Sequence, residues 1–179
     1  VEQKLLYILV EGLDDERFCR RILEAMFATR YDDVKILQYS EKTQEWVNRL
    51  LGSIKAMSAD YILLADLSSC PCVTERKQKV QEKFKFCDVV SIQVVAEEIE
   101  SWYLAGLNDN ECSALKLPLL PTTHHLTKEE FNRLVPARFH RTELMVEILK
   151  RYSLETAVTK NTSFRYFVQK YSLLPPSET

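Results

Sequence analysis

Acidic side chains that close apolar runs are the residues of this sequence best placed to do chemistry. The stretch ILVEGLDDE at 8–16 ends a hydrophobic run in Glu11-Gly12 and continues through Asp14, Asp15 and Glu16. YILLADLSS at 61–69 ends a second run in Asp66, and VVAEEIESWYLAG at 94–106 sets Glu97, Glu98 and Glu100 directly after a third. Two carboxylates about 4 Å apart repel by about 4 kcal/mol at an effective dielectric of about 20, so a cluster of them calls for a cation or a shared proton. Oxygen-only donors suit Mg2+ or Mn2+ better than zinc. An ion held in this way activates water and stabilises charge on a transferring phosphoryl group. A plainer reading also exists for each segment: acids in a first helical turn complement the helix dipole, for about 0.3–1 kcal/mol each.

The elements that must position these acids follow from hydrophobic spacing. Residues 4–10, 60–65 and 88–95 are short runs rich in Val, Ile and Leu without alternation, as in strands buried on both faces. Residues 33–39 form a weaker fourth strand. Helical spacing is present in 14–28, with Asp14 as its cap, and in 43–57, which follows Thr43. Residues 73–85 are polar enough for a largely exposed helix. The order β-α-β-α-β-α-β predicts an α/β fold with an about four-stranded, mostly parallel sheet flanked by helices. In such sheets ligands bind at the carboxyl ends of strands, which is where Glu11 and Asp66 fall, and Gly12 lets the chain turn there. A helix over 97–106 would put Glu97 and Glu100 on one face. Beyond it, 108–127 reads mostly as loop because of Pro118 and Pro121. Helices follow over 128–134, 141–151 and 162–173, and the tail 175–179 reads as frayed. The expected organisation is thus an α/β core over 1–107 and a loop plus helical extension over 108–179, packed on the core.

Composition narrows the classes. At 179 residues and 28% charged, the chain is an ordinary globular one. No run is long enough to span a membrane, residues 1–10 lack the form of a secretory signal, and five scattered cysteines suit reduced thiols in the cytoplasm. Residues 1–110 carry 14 basic and 19 acidic side chains, whereas 111–174 carry 10 and 6. That asymmetry suits metal in one region and a polyanion in the other. Arg138, Arg141, Lys160 and Arg165, interleaved with Phe164 and Tyr166, are the candidate nucleic-acid contacts; a solvated helix face over an aromatic core is the alternative. Cys70-Pro71-Cys72 is too closely spaced for the usual zinc pair and reads as loop thiols. His124 and His125 read as loop histidines.

With these segments in place, the chain resembles the TOPRIM domain shared by topoisomerases, bacterial primases and OLD-type nucleases. VEGLDDE, LLADLSS, VVAEEIESWYLAG and the late SFRYF at 163–167 together are similar to a TOPRIM-related family of prokaryotic proteins near the OLD-type nucleases, often associated with mobile elements or defence. The resemblance implies a TOPRIM/Rossmann-like fold and a Mg2+- or Mn2+-dependent nuclease. Glu11 would be the TOPRIM glutamate, a metal ligand or acid–base group, and Asp66 the first acid of the paired-aspartate motif. Asp15 would be the added helix acid of OLD-like relatives, and Glu97 or Glu100 a further acid. The motif expects a second aspartate at 68, where this chain has Ser68, a neutral oxygen that ligates only weakly. That departure supports an alternative: a catalytically weak or inactive module that regulates or contacts a neighbouring ATPase or defence-system protein. Nucleic acid, such a neighbour and a second copy of the chain are the partners this reading admits; no membrane partner is expected.

Overall fold

Strands without alternation must be covered on both faces, and the two most apolar runs take the two inner positions of the sheet. The computed structural model describes residues 3–173; the tail 175–179 lies outside them. The chain divides into two compact units, Val1–Val95 and Ala96–Thr179. In the first unit, β1 (Leu5–Val10), β2 (Asp33–Gln38), β3 (Asp60–Asp66) and β4 (Ile92–Val95) form one sheet in the order β2-β1-β3-β4, every pair parallel. β1 and β3 are central; Leu6 to Val10 and Ile62 to Ala65 are buried. β2 lies at an edge and buries only Ile36, in keeping with its weaker sequence pattern.

Thr43 caps the helix α3 (Gln44–Ala56) as expected, its hydroxyl accepting from Trp46 N at 3.2 Å. Val47, Leu51 and Ile54 turn inward at helical spacing. The polar helix α4 (Val73–Lys83) buries only Val80. The first helical segment runs as α1 (Leu13–Phe18), a π-helical turn (Cys19–Leu23) and α2 (Glu24–Phe27). Its N-cap is Gly12, not Asp14: the turn begins earlier, and Asp15 supplies the capping contact by accepting from Gly12 N at 3.2 Å. The fourth strand is also shorter than 88–95. Its β-branched start is a 3-10 turn (Val89–Ser91) in which Val89 and Val90 are exposed, so residue type imitated a strand without the burial.

In the second unit, the sequence-predicted helix over 97–106 is α5 (Glu100–Ala105), and every residue of it is buried. Glu97 stands outside it with φ of 59°, so Glu97 and Glu100 do not share a helix face. Trp102 packs against Phe164 and Phe167, with ring centroids 5.0 and 5.3 Å away, and its indole N–H donates to Ser163 Oγ at 2.8 Å. The SWYL and SFRYF motifs are therefore two sides of one core. Two helices arise where the sequence reading had none. α6 (Asp109–Leu115) lies in the predicted loop, capped by Asn108; α9 (Leu154–Lys160) is capped by Ser153. Both are short, and few apolar positions mark them, which is why periodicity misses them while their caps do not. α7 (Lys128–Leu134) and α8 (Arg141–Lys150) match expectation, and α10 (Thr162–Lys170) starts where expected but ends three residues before 173. Gly106 is set by close approach: a Cβ there would fall 2.2 Å from Tyr152 Cδ2.

Candidate active site

Glu11 follows β1 directly and Asp66 closes β3, and these strands are hydrogen-bonded neighbours. Leu9 pairs with Leu63, which sets Glu11 level with Ala65 and Asp66 one residue further along, so the two acids stand at the same carboxyl edge on neighbouring strands. The ladder continues past the strands here, with Tyr39 N donating to Val10 O and Leu67 N to Val95 O, each at 2.9 Å. This fixes Tyr39 and Ser40 beside Glu11.

Glu11 is half-buried and firmly held. Its Oε1 accepts from Arg76 Nη2 at 2.5 Å and from the Tyr39 hydroxyl at 3.1 Å. Its backbone oxygen accepts from Ser40 Oγ. Oε2 takes no hydrogen bond among the described residues. Tyr39 is buried, and burial first, then the Glu11 charge, pushes its pKa well above the ordinary value. The phenol stays a neutral donor, shared between Glu11 and Leu64 O, each at 3.1 Å. Arg76, Lys79 and Lys83 lie at i, i+3 and i+7 along α4 and line, with Glu11, Tyr39 and Ser40, a cavity of about 130 Å3.

The acids that follow Glu11 and Gly12 have structural work. Asp15 is buried at the start of α1 on Gly12 N. Asp14 pairs with Arg17 at 2.5 Å and Glu16 with Arg20 at 2.7 Å. The Gln38 amide, reinforced by Arg20 and opposed by burial, holds the Glu16 carboxyl below its usual range. Ser68 is exposed and sits in the left-handed region at φ 53°, in the turn that Cys70 N closes on Leu67 O at 3.2 Å. Cys70 is buried and Cys72 exposed; both are free thiols. Lys79 Nζ donates to Cys70 Sγ at 3.5 Å.

In the second unit, Glu100 is buried against the guanidinium of Arg141, which also lies over the Phe131 ring and donates to Asn132 Oδ1 at 2.8 Å. Glu98 accepts from Lys128 N at 2.6 Å, and Glu97 is half-buried. The expected phosphate contacts separate. Lys160 is buried with its ammonium on Leu107 O at 2.7 Å, so it serves the interior instead of a ligand. Arg141 is engaged as above, and Arg138 donates to Ala114 O at 2.9 Å while lying over Phe139. Arg165 is exposed. His124 contacts Thr162 Oγ1 at 3.3 Å and His125 edge-on.

Sequence reasoning missed Tyr39, Ser40, Arg76, Lys79 and Lys83. The signal was there: Tyr39-Ser40 directly follows the weak strand at the same sheet edge, and the cations share one face of a helix whose polarity was read only as exposure. Among the described residues no three His, Cys, Asp or Glu side chains gather as a metal cluster. Mg2+, however, is commonly held through one or two carboxylates, waters and substrate phosphates, and the hard oxygens of Glu11 and Asp66 fit that donor set.

No family model matches the sequence, and no curated protein matches it. Among solved structures the chain is similar to the C-terminal region of the Burkholderia pseudomallei OLD protein. The TM-score is 0.50 at 13% identity, over 94% of this chain and 98% of that one. At this identity the likeness is one of fold: the chain has an OLD-related α/β fold. No described helix is long and apolar enough to cross a membrane.

Proposed function

We propose that this protein is a divalent-metal-dependent phosphodiester-cleaving enzyme of the TOPRIM type, a nuclease, with Glu11 and Asp66 at its centre. The observation that supports this most is the adjacency of β1 and β3, which brings two acid-ended strands to one carboxyl edge of an OLD-like fold. Glu11 Oε2 and Asp66 would hold Mg2+ or Mn2+, which when bound supplies Lewis-acid stabilisation of a phosphodiester and a more acidic water. The protein's own part is positional. Tyr39 and Arg76 hold the Glu11 carboxylate in place by one oxygen, and substrate phosphate completes a shell that two carboxylates leave open. Incubation of single- and double-stranded DNA and RNA with Mn2+ tests the reading. Wild type is expected to cleave one of them, and the Asp66→Asn variant, folded to the same extent, to lose that cleavage; equal cleavage by both would refute the assignment.

A second reading has its own observations. Ser68 leaves the motif one charge short, and Arg76 already neutralises Glu11. Both suit a module that keeps the fold and contacts a neighbouring ATPase or defence protein without cleaving. A co-purifying partner together with no cleavage under any metal would favour it over the nuclease.

A further inference from the structure

The cavity beside Glu11 carries more positive than negative charge. Three cations of α4, Arg76, Lys79 and Lys83, line it against the single carboxylate of Glu11, and two hydroxyls, of Tyr39 and Ser40, complete the polar wall. We propose that this face of α4 is a subsite for a phosphoryl oxyanion, the group that the phosphodiester reading requires next to Glu11. Its place beside a reaction rests on that reading; its capacity to bind an anion does not.

Size, charge and hydrogen bonding agree. About 130 Å3 is the space of about four waters, enough for a tetrahedral oxyanion and well short of the roughly 300–1,000 Å3 pockets that enclose drug-sized ligands. Arg76 is held by Glu11 through Nη2 alone, while its buried Nε takes no hydrogen bond among the described residues. A buried donor left unsatisfied is unfavourable, and a bound oxyanion is a natural acceptor for a guanidinium. Lys83 has its ammonium over the Phe84 ring at 5.2 Å and no carboxylate within ion-pair distance among the described residues. Lys79 is half-exposed and bridges Glu75 at 2.7 Å, an arrangement that a stronger anion can displace at little cost. Spacing of three and four residues puts all three on one helix face. A solvated basic stripe would show the same spacing, but not a shared cavity with the acid that ends β1.

Binding of a labelled single-stranded oligonucleotide of about 20 nucleotides, in EDTA and from ~50 to ~200 mM salt, tests the proposal on the intact chain. Compared with wild type are Lys79→Gln/Lys83→Gln and a control of equal charge, Lys55→Gln/Lys85→Gln, whose residues lie outside the cavity. The cavity variant is expected to bind at least tenfold more weakly, with the log–log salt slope reduced by about 1.4 for two lost phosphate contacts on a single strand. The control is expected to stay within about twofold. Inorganic phosphate that displaces the oligonucleotide at low-millimolar concentration assigns the subsite to small phosphoryl anions; an undisplaced strand assigns it to a polymer backbone. Equal binding by the two variants, or no binding of either probe by wild type, overturns the proposal. Loss of this binding would leave Asp66-dependent cleavage standing, and absence of cleavage would leave this binding standing, so the two readings fail separately.

Discussion

Replacing Tyr39 with Phe removes one hydroxyl from the strand edge and little else. The ring stays in contact with Phe84, edge-on at 5.7 Å, so no cavity opens. What is lost is one donor shared between Glu11 Oε1 and Leu64 O, each at 3.1 Å. A neutral hydrogen bond contributes about 0.5–1.5 kcal/mol net and one to a charged acceptor about 1.5–3. One proton divided between the two kinds of acceptor gives an expected loss of about 1–2 kcal/mol. For a chain of this size that lowers Tm by about 2–8 °C. In urea the midpoint should fall at unchanged slope, because no compactness is lost. In a Glu11→Gln background the same substitution should cost less, by about 0.5–1 kcal/mol, since one acceptor has lost its charge. An identical cost in both backgrounds would show that Tyr39 does not act through Glu11, and the account of a carboxylate held by Tyr39 and Arg76 would fail.

Two further outcomes are expected. Ser68→Asp should be tolerated by the backbone, because Asp occupies the left-handed region of position 68 more readily than most residues. If the site is a metal site, the variant should bind Mn2+ more tightly than wild type; unchanged affinity would place residue 68 outside it. Stability should also fall in alkali. Burial pushes the Cys87 thiol up to about 11 and Tyr31 and Tyr61 up to about 12, and raises Cys19 and Tyr39 as well. The folded chain keeps these protons while the unfolded chain loses them from about pH 8.5 for Cys and about pH 10 for Tyr. Stability is therefore full below about pH 8.5 and declines as pH rises towards the folded values. Urea midpoints that stay level to about pH 11 would contradict this.

Sequence and structure agree best where one signal suffices. The unalternating runs at 4–10 and 60–65 can be satisfied only by central strands, and they became β1 and β3. Thr43 announced α3 through its cap. The legible part of the site was likewise local, an acid at the end of each run. What was not legible is who holds those acids. Arg76 reaches Glu11 across 65 positions and Tyr39 across 28, and no periodicity encodes such pairings. Glu100 shows the same limit in reverse. Its place after a strand suggested a ligand, but burial beside Arg141 gives it a structural partner 41 positions away. Lys160 looked like a surface cation because its helix was not foreseen; once α9 forms, its ammonium turns to the Leu107 carbonyl.

The central claim is that the acids ending β1 and β3 hold one divalent ion together. Electron paramagnetic resonance of free Mn2+ during titration into the protein reads this without any assumption about substrate. Saturable uptake by wild type that is lost in both Glu11→Gln and Asp66→Asn, with folding unchanged, is the expected result. Uptake that persists in either variant, or no uptake by wild type, would contradict it.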